Sequence, residues 1–487
     1  MDLTHSLRLI LPEEILSIGG LILLLAAAWL GDKASRAISI AAVALIVAAA
    51  AVTVPTLDSG AMGAGTDAFF GQFQADAFAA YAKMLIYLAG AACLMIAPQF
   101  FERWKAMRAE YPVLLLFAVL GTSIMVSAGD LMTLYIGLEM NSLASYVLAA
   151  FLRVDNRSAE SGLKYFVLGA LASGILLYGM SLTYGFTGTT NFDGIRAALT
   201  GEMSTGALFG VIIVLAGLAF KIAAVPFHMW TPDVYEGAPT PVTMFFATAS
   251  KVGAVALLMR VAFEAFGGQA DAWRQVVIFA SLASIVVGAL GAIGQTNIKR
   301  LLAYSSINNV GFILVGLATA TADGASAMLV YMAIYVAMSI GSFVAVLMLR
   351  DAEGNQIESI SAMAGLSRTR PLLAWCLLVT MLSLAGIPPL FGFWGKLVVF
   401  RAAVDADMIA LATLAIVGSV ISAYYYLMIC KTMFFDEPAD QVRGRSDWAH
   451  WALLLAATVF NSPLGYLLNG GLDVLADKAS AALILAA

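Results

Sequence analysis

The sequence predicts an all-α polytopic membrane protein of about fourteen transmembrane helices, with two inverted five-helix repeats that each contain a proline-broken helix. Three observations predict it. Of 487 residues, 61% are hydrophobic and 12% charged, against about 45–50% and about 25% in a soluble domain. Apolar runs of the roughly 20 residues that cross a hydrocarbon core recur along the chain. Two of these runs, five apart, are interrupted by proline. The composition excludes a water-soluble enzyme, and a net charge of −5, evenly spread, speaks against nucleic-acid binding. Cys93, Cys376 and Cys430 lie far apart without CxxC spacing, and His5, His228 and His450 are equally scattered. No metal site, disulfide framework or cofactor is therefore expected in the chain.

The first apolar run, Pro12 to Leu30, follows only eleven residues, so it reads as a retained helix and no cleavable signal is expected. Further spans are predicted at 36–56, 74–97, 111–127, 130–152, 161–184, 206–235, 241–265, 272–294, 299–320, 325–349, 371–403, 408–434 and 447–470. They divide into an N-terminal three-helix segment (1–110), a first five-helix unit (111–265), a second, inverted unit (266–434), and a last helix with its tail (435–487). Lysine and arginine then set the orientation. The odd-numbered loops carry Lys33, Arg36, Arg103, Lys105, Arg108, Arg153, Arg157, Lys299, Arg300, Arg350, Arg368, Arg370, Lys431, Arg443 and Arg445. The opposite side carries only Arg8, Arg196, Arg274, Arg401 and Lys478. Fifteen against five places the odd loops in the cytoplasm and both termini outside.

Six cations remain inside predicted spans: Lys83, Lys164, Lys221, Lys251, Arg260 and Lys396. A lysine at mid-helix costs about 2.5–3.5 kcal/mol on insertion scales, so Lys221, Lys251 and Lys396 together would cost roughly 8–10 kcal/mol if unpaired. They must face other helices, water or a carboxylate, and Glu139, near the centre of the fifth span, is the obvious carboxylate. Burial disfavours a charged amine and a nearby carboxylate restores it, so a change in the distance to Glu139 would load or unload a lysine. Lys164 lies one turn after Glu160, which makes it either a surface i,i+4 pair or a functional group. Arg260 pairs similarly with Glu264 and reads as structural. Lys83 follows Asp76 by seven residues, a spacing that permits a structural tie.

In GLAFKIAAVPFHMWTPD, Pro226 deprives Ile222 of its hydrogen-bond donor. In SLAGIPPLFGFWGK, Pro388 and Pro389 free the carbonyls of Leu384 and Ala385. Lys221 sits five residues before the first break and Lys396 eight after Pro388. An odd offset of five helices makes the second unit enter from the opposite face, the architecture by which transporters build midplane ion sites. The tenth span supplies a polar seam, Tyr304, Ser305, Ser306, Asn308 and Asn309, able to hold a water chain or simply to join helices. His228 is either a proton relay or, beside Trp230, an interfacial packing residue. Asp233 and Glu236 are either an entry funnel or solvated charge.

Gly395–Lys396 is no phosphate loop and no dinucleotide-binding βαβ unit is visible, so an energy source must come from an ion gradient or from partners. At this point PFHMWTPDVYEGAPTPV, ATASKVGA, GQTNIKRLLAYSSI and SLAGIPPLFGFWGK resemble, in order and across nearly the whole chain, the antiporter-like membrane chains of bacterial respiratory complex I, the proton-pumping NADH:quinone oxidoreductase. The resemblance implies a half-channel in each unit. Glu139 and Lys221 would form the first pair with Lys164 beside them, Lys251 would link the units, and Lys396 would face the second half-channel. It also implies a hetero-oligomer in the bacterial inner membrane, with a neighbouring antiporter-like chain, small membrane chains and lipids as partners. Flavin, iron–sulfur clusters and quinone would reside in partner subunits. Where relatives often have histidine, this chain has Asn309, which favours a water-mediated relay there. A subunit of a multisubunit cation/proton antiporter shares the same fold and needs no redox partner, and a structural scaffold would use its buried charges only to fix helix register.

Overall fold

The computed structural model describes residues 3–58, 66–201, 203–439, 441–444 and 447–485; Arg445, counted above among the inner cations, lies outside them. Helices dominate because a backbone in lipid has no hydrogen-bond partner but itself. Three short helices (Leu3–Leu9, Phe192–Ala198 and Leu366–Thr369) apart, they are in chain order α1 (Leu11–Leu30), α2 (Ser35–Thr53), α3 (Ala77–Arg103), α4 (Glu110–Val126), α5 (Leu131–Ala149), α6 (Asn156–Thr187), α7 (Thr205–Ile222) and α8 (Thr231–Gly237). They continue as α9 (Thr240–Ala265), α10 (Ala270–Ala292), α11 (Ile298–Thr319), α12 (Ala322–Met348), α13 (Pro371–Ala385), α14 (Phe391–Asp405), α15 (Ile409–Phe435), α16 (Trp448–Asn461) and α17 (Asn469–Leu485). Among the described residues the sheet structure is one two-residue ribbon, Asp67–Ala68 with Phe73–Gln74.

Every predicted span contains a helix, but length and composition alone give fewer than fourteen crossings. Nine helices among the described residues are long and apolar enough, or ten with one bent pair. The shortfall has visible causes. α4, α13 and α14 have 17, 15 and 15 residues, and α1 and α2 fall within one apolar run although they pack side by side. The last predicted span also departs from expectation, because the chain bends by 72° between α16 and the segment from Pro463. Proline offers no donor to continue the helix, and the Ser462 hydroxyl accepts from the Leu464 amide at 3.2 Å instead. Beyond the bend, α17 lies against α3 and α12.

Burial sorts the helices into layers. The most apolar windows of α9, α11 and α12 are 94% buried, against 39% for those of α6, α10 and α15. Three central helices are thus wrapped in protein, while the outer ones leave Leu163, Phe279 and Val420 exposed. Lipid tails are as apolar as these side chains, so their exposure carries no penalty in a bilayer.

One local geometry occurs twice. Asn141 on α5 donates to the Ala118 carbonyl on α4 (3.1 Å), and Asn308 on α11 donates to the Ile285 carbonyl on α10 (2.8 Å), each across 23 residues. A Cβ on Gly121 or Gly288 would lie 2.5 Å from the backbone nitrogen of that same Asn141 or Asn308. The first two helices of each five-helix unit therefore meet backbone to backbone at a glycine, and an asparagine amide ties the joint.

Candidate functional site

The functional side chains hang on this doubled frame. At the start of α5, the Asp130 carboxylate accepts from the Thr133 amide at 2.7 Å, a cap that anchors the first turn. Two and a half turns along, Glu139 and Ser142 share a face, being three residues apart. Lys221, in the last turn of α7, donates to the Ser142 hydroxyl at 2.7 Å, with the rings of Tyr146 and Phe220 each 5.9 Å away. The expected Glu139–Lys221 contact is not an ion pair among the described residues. Glu139 Oε1 is instead buried without a hydrogen-bond partner, one helical turn from the hydroxyl that holds the lysine.

Both helix breaks share one construction. Ala223 (φ +62°) and Gly386 (φ +79°) end α7 and α13 in the left-handed conformation, each three residues before the second proline-containing cis bond partner, Pro226 or Pro389. Sequence reasoning predicted freed carbonyls at the second break, and Lys396 meets one: its Nζ donates to the Ala385 carbonyl at 3.0 Å and to the Ser419 hydroxyl at 2.9 Å. Lys396 is buried, with the Phe312 ring 4.6 Å from Nζ. At the first break, the Val225 amide donates to Ser284 on α10 (2.9 Å), which ties the turn to the second unit.

Lys251 lies between the units. Its Nζ donates to the Ser306 hydroxyl on α11 at 2.6 Å, and Ser306 bonds the Tyr335 hydroxyl on α12 at 2.8 Å. The preceding residue faces the other way: the Ser250 hydroxyl donates to Asn141 on α5 at 3.1 Å. One turn of α9 therefore touches the tied asparagine of the first unit and the polar seam of the second. Counting from Asn141 and Asn308, Glu139 in the first unit corresponds to Ser306 in the second. The seam continues through Asn309, which donates to the Ser305 carbonyl (2.7 Å) and accepts from Tyr331 (2.6 Å), while Ser305 bonds Tyr426. Tyr304 does not join it, and packs over Gly291 on α10. His228 also stands apart, its Nδ1 buried without a hydrogen-bond partner, while Trp230 stacks on Tyr165 at 4.6 Å.

Lys164 belongs to a network on the predicted cytoplasmic side. It pairs with Glu160 (2.7 Å) and Asp233 (2.8 Å). Arg300 joins Asp233 (2.7 Å) to Glu236 (3.0 Å), Arg157 joins Glu236 (3.1 Å) to Glu358 (3.0 Å), and Lys299 reaches Glu358 at 3.3 Å. Burial alone would raise the Asp233 carboxyl, but Lys164 and Arg300 outweigh it and hold Asp233 below the usual range. Arg157, Glu160, Ser161, Lys164, Asp233 and Arg300 help line a cavity of about 180 Å³ here. Asp233 and Glu236 are therefore neither free in solvent nor isolated. They join both five-helix units.

Near the opposite side the expected Arg260–Glu264 pair is present, and the expected tie of Lys83 to Asp76 is not. Lys83 does not pair with Asp76 but with Glu13 on α1 (2.7 Å), both buried, and the Ser123 hydroxyl donates to the same Glu13 oxygen. Asp76, the cap of α3, belongs to Arg260, as does Glu264. Sequence reasoning missed Ser142, Ser250, Tyr331, Tyr335, Ser419 and Tyr426. Only Ser142 carried a signal, its three-residue spacing from Glu139, because hydroxyls on different helices have no fixed sequence spacing.

Residues 128–422 match the family described as NADH:quinone oxidoreductase/Mrp antiporter, TM. The chain is similar to NADH-quinone oxidoreductase subunit N of Erythrobacter litoralis, at 69% identity over 486 residues that cover 100% of both chains. It is also similar to subunit N of Sphingopyxis alaskensis, at 55% identity over 99% of this chain and 100% of that one. Among solved structures it resembles a chain of respiratory complex I from Thermus thermophilus with bound aureothin (TM-score 0.80, 33% identity, 94% of this chain and 97% of that chain). It also resembles a chain of the Mrp complex from a Dietzia species (TM-score 0.83, 26% identity, 99% and 98%). The fold is thus common to both kinds of complex, while sequence identity separates them, and the chain belongs to the subunit N branch of the NADH:quinone oxidoreductase/Mrp antiporter membrane family.

Proposed function

We propose that this chain moves protons across the membrane as a subunit of NADH:quinone oxidoreductase, through Glu139, Lys221, Lys251 and Lys396, with hydroxyls and water between them. Lys164 and its carboxylate partners guard the cytoplasmic end of the first unit. The chain holds no redox cofactor of its own; flavin, iron–sulfur clusters and quinone lie in partner subunits, whose electron transfer drives the cycle. It sits in the bacterial inner membrane with both termini on the outer side, beside another antiporter-like chain and small membrane chains, with lipid on its exposed apolar faces.

The observation that carries this reading is the placement of Lys251. A charge at mid-helix costs several kcal/mol unless it is partnered, and here the partner is a serine hydroxyl bonded to a tyrosine rather than a carboxylate. Hydroxyls both donate and accept, so Lys251, Ser306 and Tyr335 form a chain able to pass a proton without a fixed charge. Ser250 on Asn141 ties the same turn to the unit that holds Glu139 and Lys221.

The test is Lys251→Met in the assembled complex, reconstituted into vesicles. Coupled NADH:quinone turnover is expected to fall about tenfold, equivalent to ~1.4 kcal/mol on the rate-limiting barrier, with proton translocation falling alongside it. Unchanged turnover and pumping, with only assembly or thermal stability reduced, would instead establish the lysine as a structural pin. A multisubunit antiporter would copurify without flavin or iron–sulfur proteins.

A further inference from the structure

Charge balance distinguishes one buried cluster from the rest. The cytoplasmic network sets four cations (Arg157, Lys164, Lys299 and Arg300) against four carboxylates (Glu160, Asp233, Glu236 and Glu358). Lys83 and Glu13 are matched one to one. The Arg260 cluster is uneven, one cation against two carboxylates, Asp76 and Glu264.

The Arg260 guanidinium is fully engaged. Nε donates to the Val126 carbonyl (2.9 Å), Nη1 to Gln74 and Glu264, and Nη2 to both oxygens of Asp76 (2.9 and 3.0 Å). The Phe78 ring lies 4.9 Å from its central carbon. Arg260 is 0% exposed, Glu264 1% and Asp76 8%. A guanidinium stays charged at every accessible pH, so it balances one carboxylate and leaves the other as a surplus buried anion. A buried charge without a partner is strongly disfavoured, and a proton removes it. A second, independent feature marks Glu264: its Oε2 is buried with no hydrogen-bond partner.

We propose that the Asp76–Arg260–Glu264 cluster holds one exchangeable proton, seated on Glu264, and is the group from which protons leave this chain on the outer side. This rests on the proton-translocation reading above. The backbone places it for that role. Lys251 and Arg260 stand at opposite ends of the ten-residue α-helical part of α9, about 14 Å apart along its axis at 1.5 Å per residue. A π-helical turn precedes Lys251 (Phe246–Ser250) and another follows Arg260 (Val261–Ala265) and carries Glu264; such turns are rare and gather at functional sites. The short helix Phe192–Ala198 packs on the second π turn. It brings the exposed Asp193 with its partner Arg196, and the charged groups acting most strongly on Glu264 are Arg260, Asp76 and Asp193. In the release step the Glu264 O–H bond breaks and its proton passes to water on the outer side. The carboxylate left behind takes the next proton arriving from within the membrane, and no electrons are exchanged.

The experiment uses the assembled oxidoreductase in vesicles, with two readouts: protons moved per NADH oxidised, and the carboxylic-acid C=O band in infrared difference spectra as outer pH is raised. The wild type is expected to show a protonated carboxyl band that bleaches with outer pH, and Glu264→Gln to lose that band and move fewer protons per NADH. Asp76→Asn supplies the second arm, because removing the surplus carboxylate makes the cluster one to one. Glu264 is then expected to stay ionised and its band to vanish although Glu264 is intact, an effect that a merely structural carboxylate would not produce. The proposal is overturned if Glu264→Gln pumps the wild-type number of protons, or if Asp76→Asn retains the band. Lys251→Met is run in parallel: loss of pumping there with none in Glu264→Gln refutes this inference alone, whereas no loss in either refutes the translocation reading itself.

Discussion

Ser142 shows how a single hydroxyl can hold a lysine inside the membrane. Glu139 was the expected partner of Lys221, yet the lysine rests on Ser142 and Glu139 Oε1 is left without a bond. This geometry suits transfer, since a tight ion pair would hold the proton on the lysine whereas a neutral hydroxyl releases it more easily. Ser142→Ala is expected to leave the ammonium without that bond, at about 1–3 kcal/mol. Pumping should fall several-fold while Ser142→Thr, which keeps the hydroxyl, retains most of it. Equal pumping in both variants would remove Ser142 from the path. The energetic need for a partner was legible in Lys221, Lys251 and Lys396 from depth alone. The identity of the partners was not, because Ser142, Ser306 and Ser419 reach the amines only when folding brings their helices together.

At the scale of elements, glycine and proline do different work. Proline marked the two broken helices from sequence, Pro226 in one and Pro388–Pro389 in the other, while the backbone joint of α4 with α5, and its counterpart in α10 with α11, gave no comparable signal. A Cβ on Gly288 would stand 2.5 Å from the Asn308 nitrogen and 2.7 Å from its Cα, and backbone cannot move aside as a side chain can. Gly288→Ala is therefore expected to force the helices apart, with a loss of about 1–3 kcal/mol, seen as a lower melting temperature of the complex. Gly174→Ala, where a Cβ meets nothing within 4 Å, should leave it unchanged. An unaffected Gly288→Ala variant would contradict the close approach.

Across the whole molecule, the two five-helix units are joined on the predicted cytoplasmic side by ionic contacts rather than by apolar packing alone. Burial by itself would raise the Glu358 carboxyl, but Lys299, Asn297 and Arg157 pull harder and hold it below the ordinary glutamate range. A group lowered in the folded state adds stability above its unfolded value, about 4.3, and that stability disappears as pH falls through the lower folded value. Glu358→Gln should therefore lower stability by about 1 kcal/mol at neutral pH. The gap from the wild type should narrow as pH is lowered from 7 toward 4, measured by thermal unfolding of the assembled complex; a gap that widens on acidification would reverse the sign of this argument. By itself the sequence determined that the chain lives in a membrane, where its helices fall, where two of them break, and which charges lie at a depth that requires a partner. Those follow from transfer energies and proline chemistry, which act on each segment alone. Only the tertiary structure decided which groups meet: Lys221 with Ser142, Lys251 with Ser306, Lys83 with Glu13, Asp233 with both Lys164 and Arg300, and Arg260 with one carboxylate too many. These pairings cross between helices, and contact between helices depends on packing that no local spacing encodes.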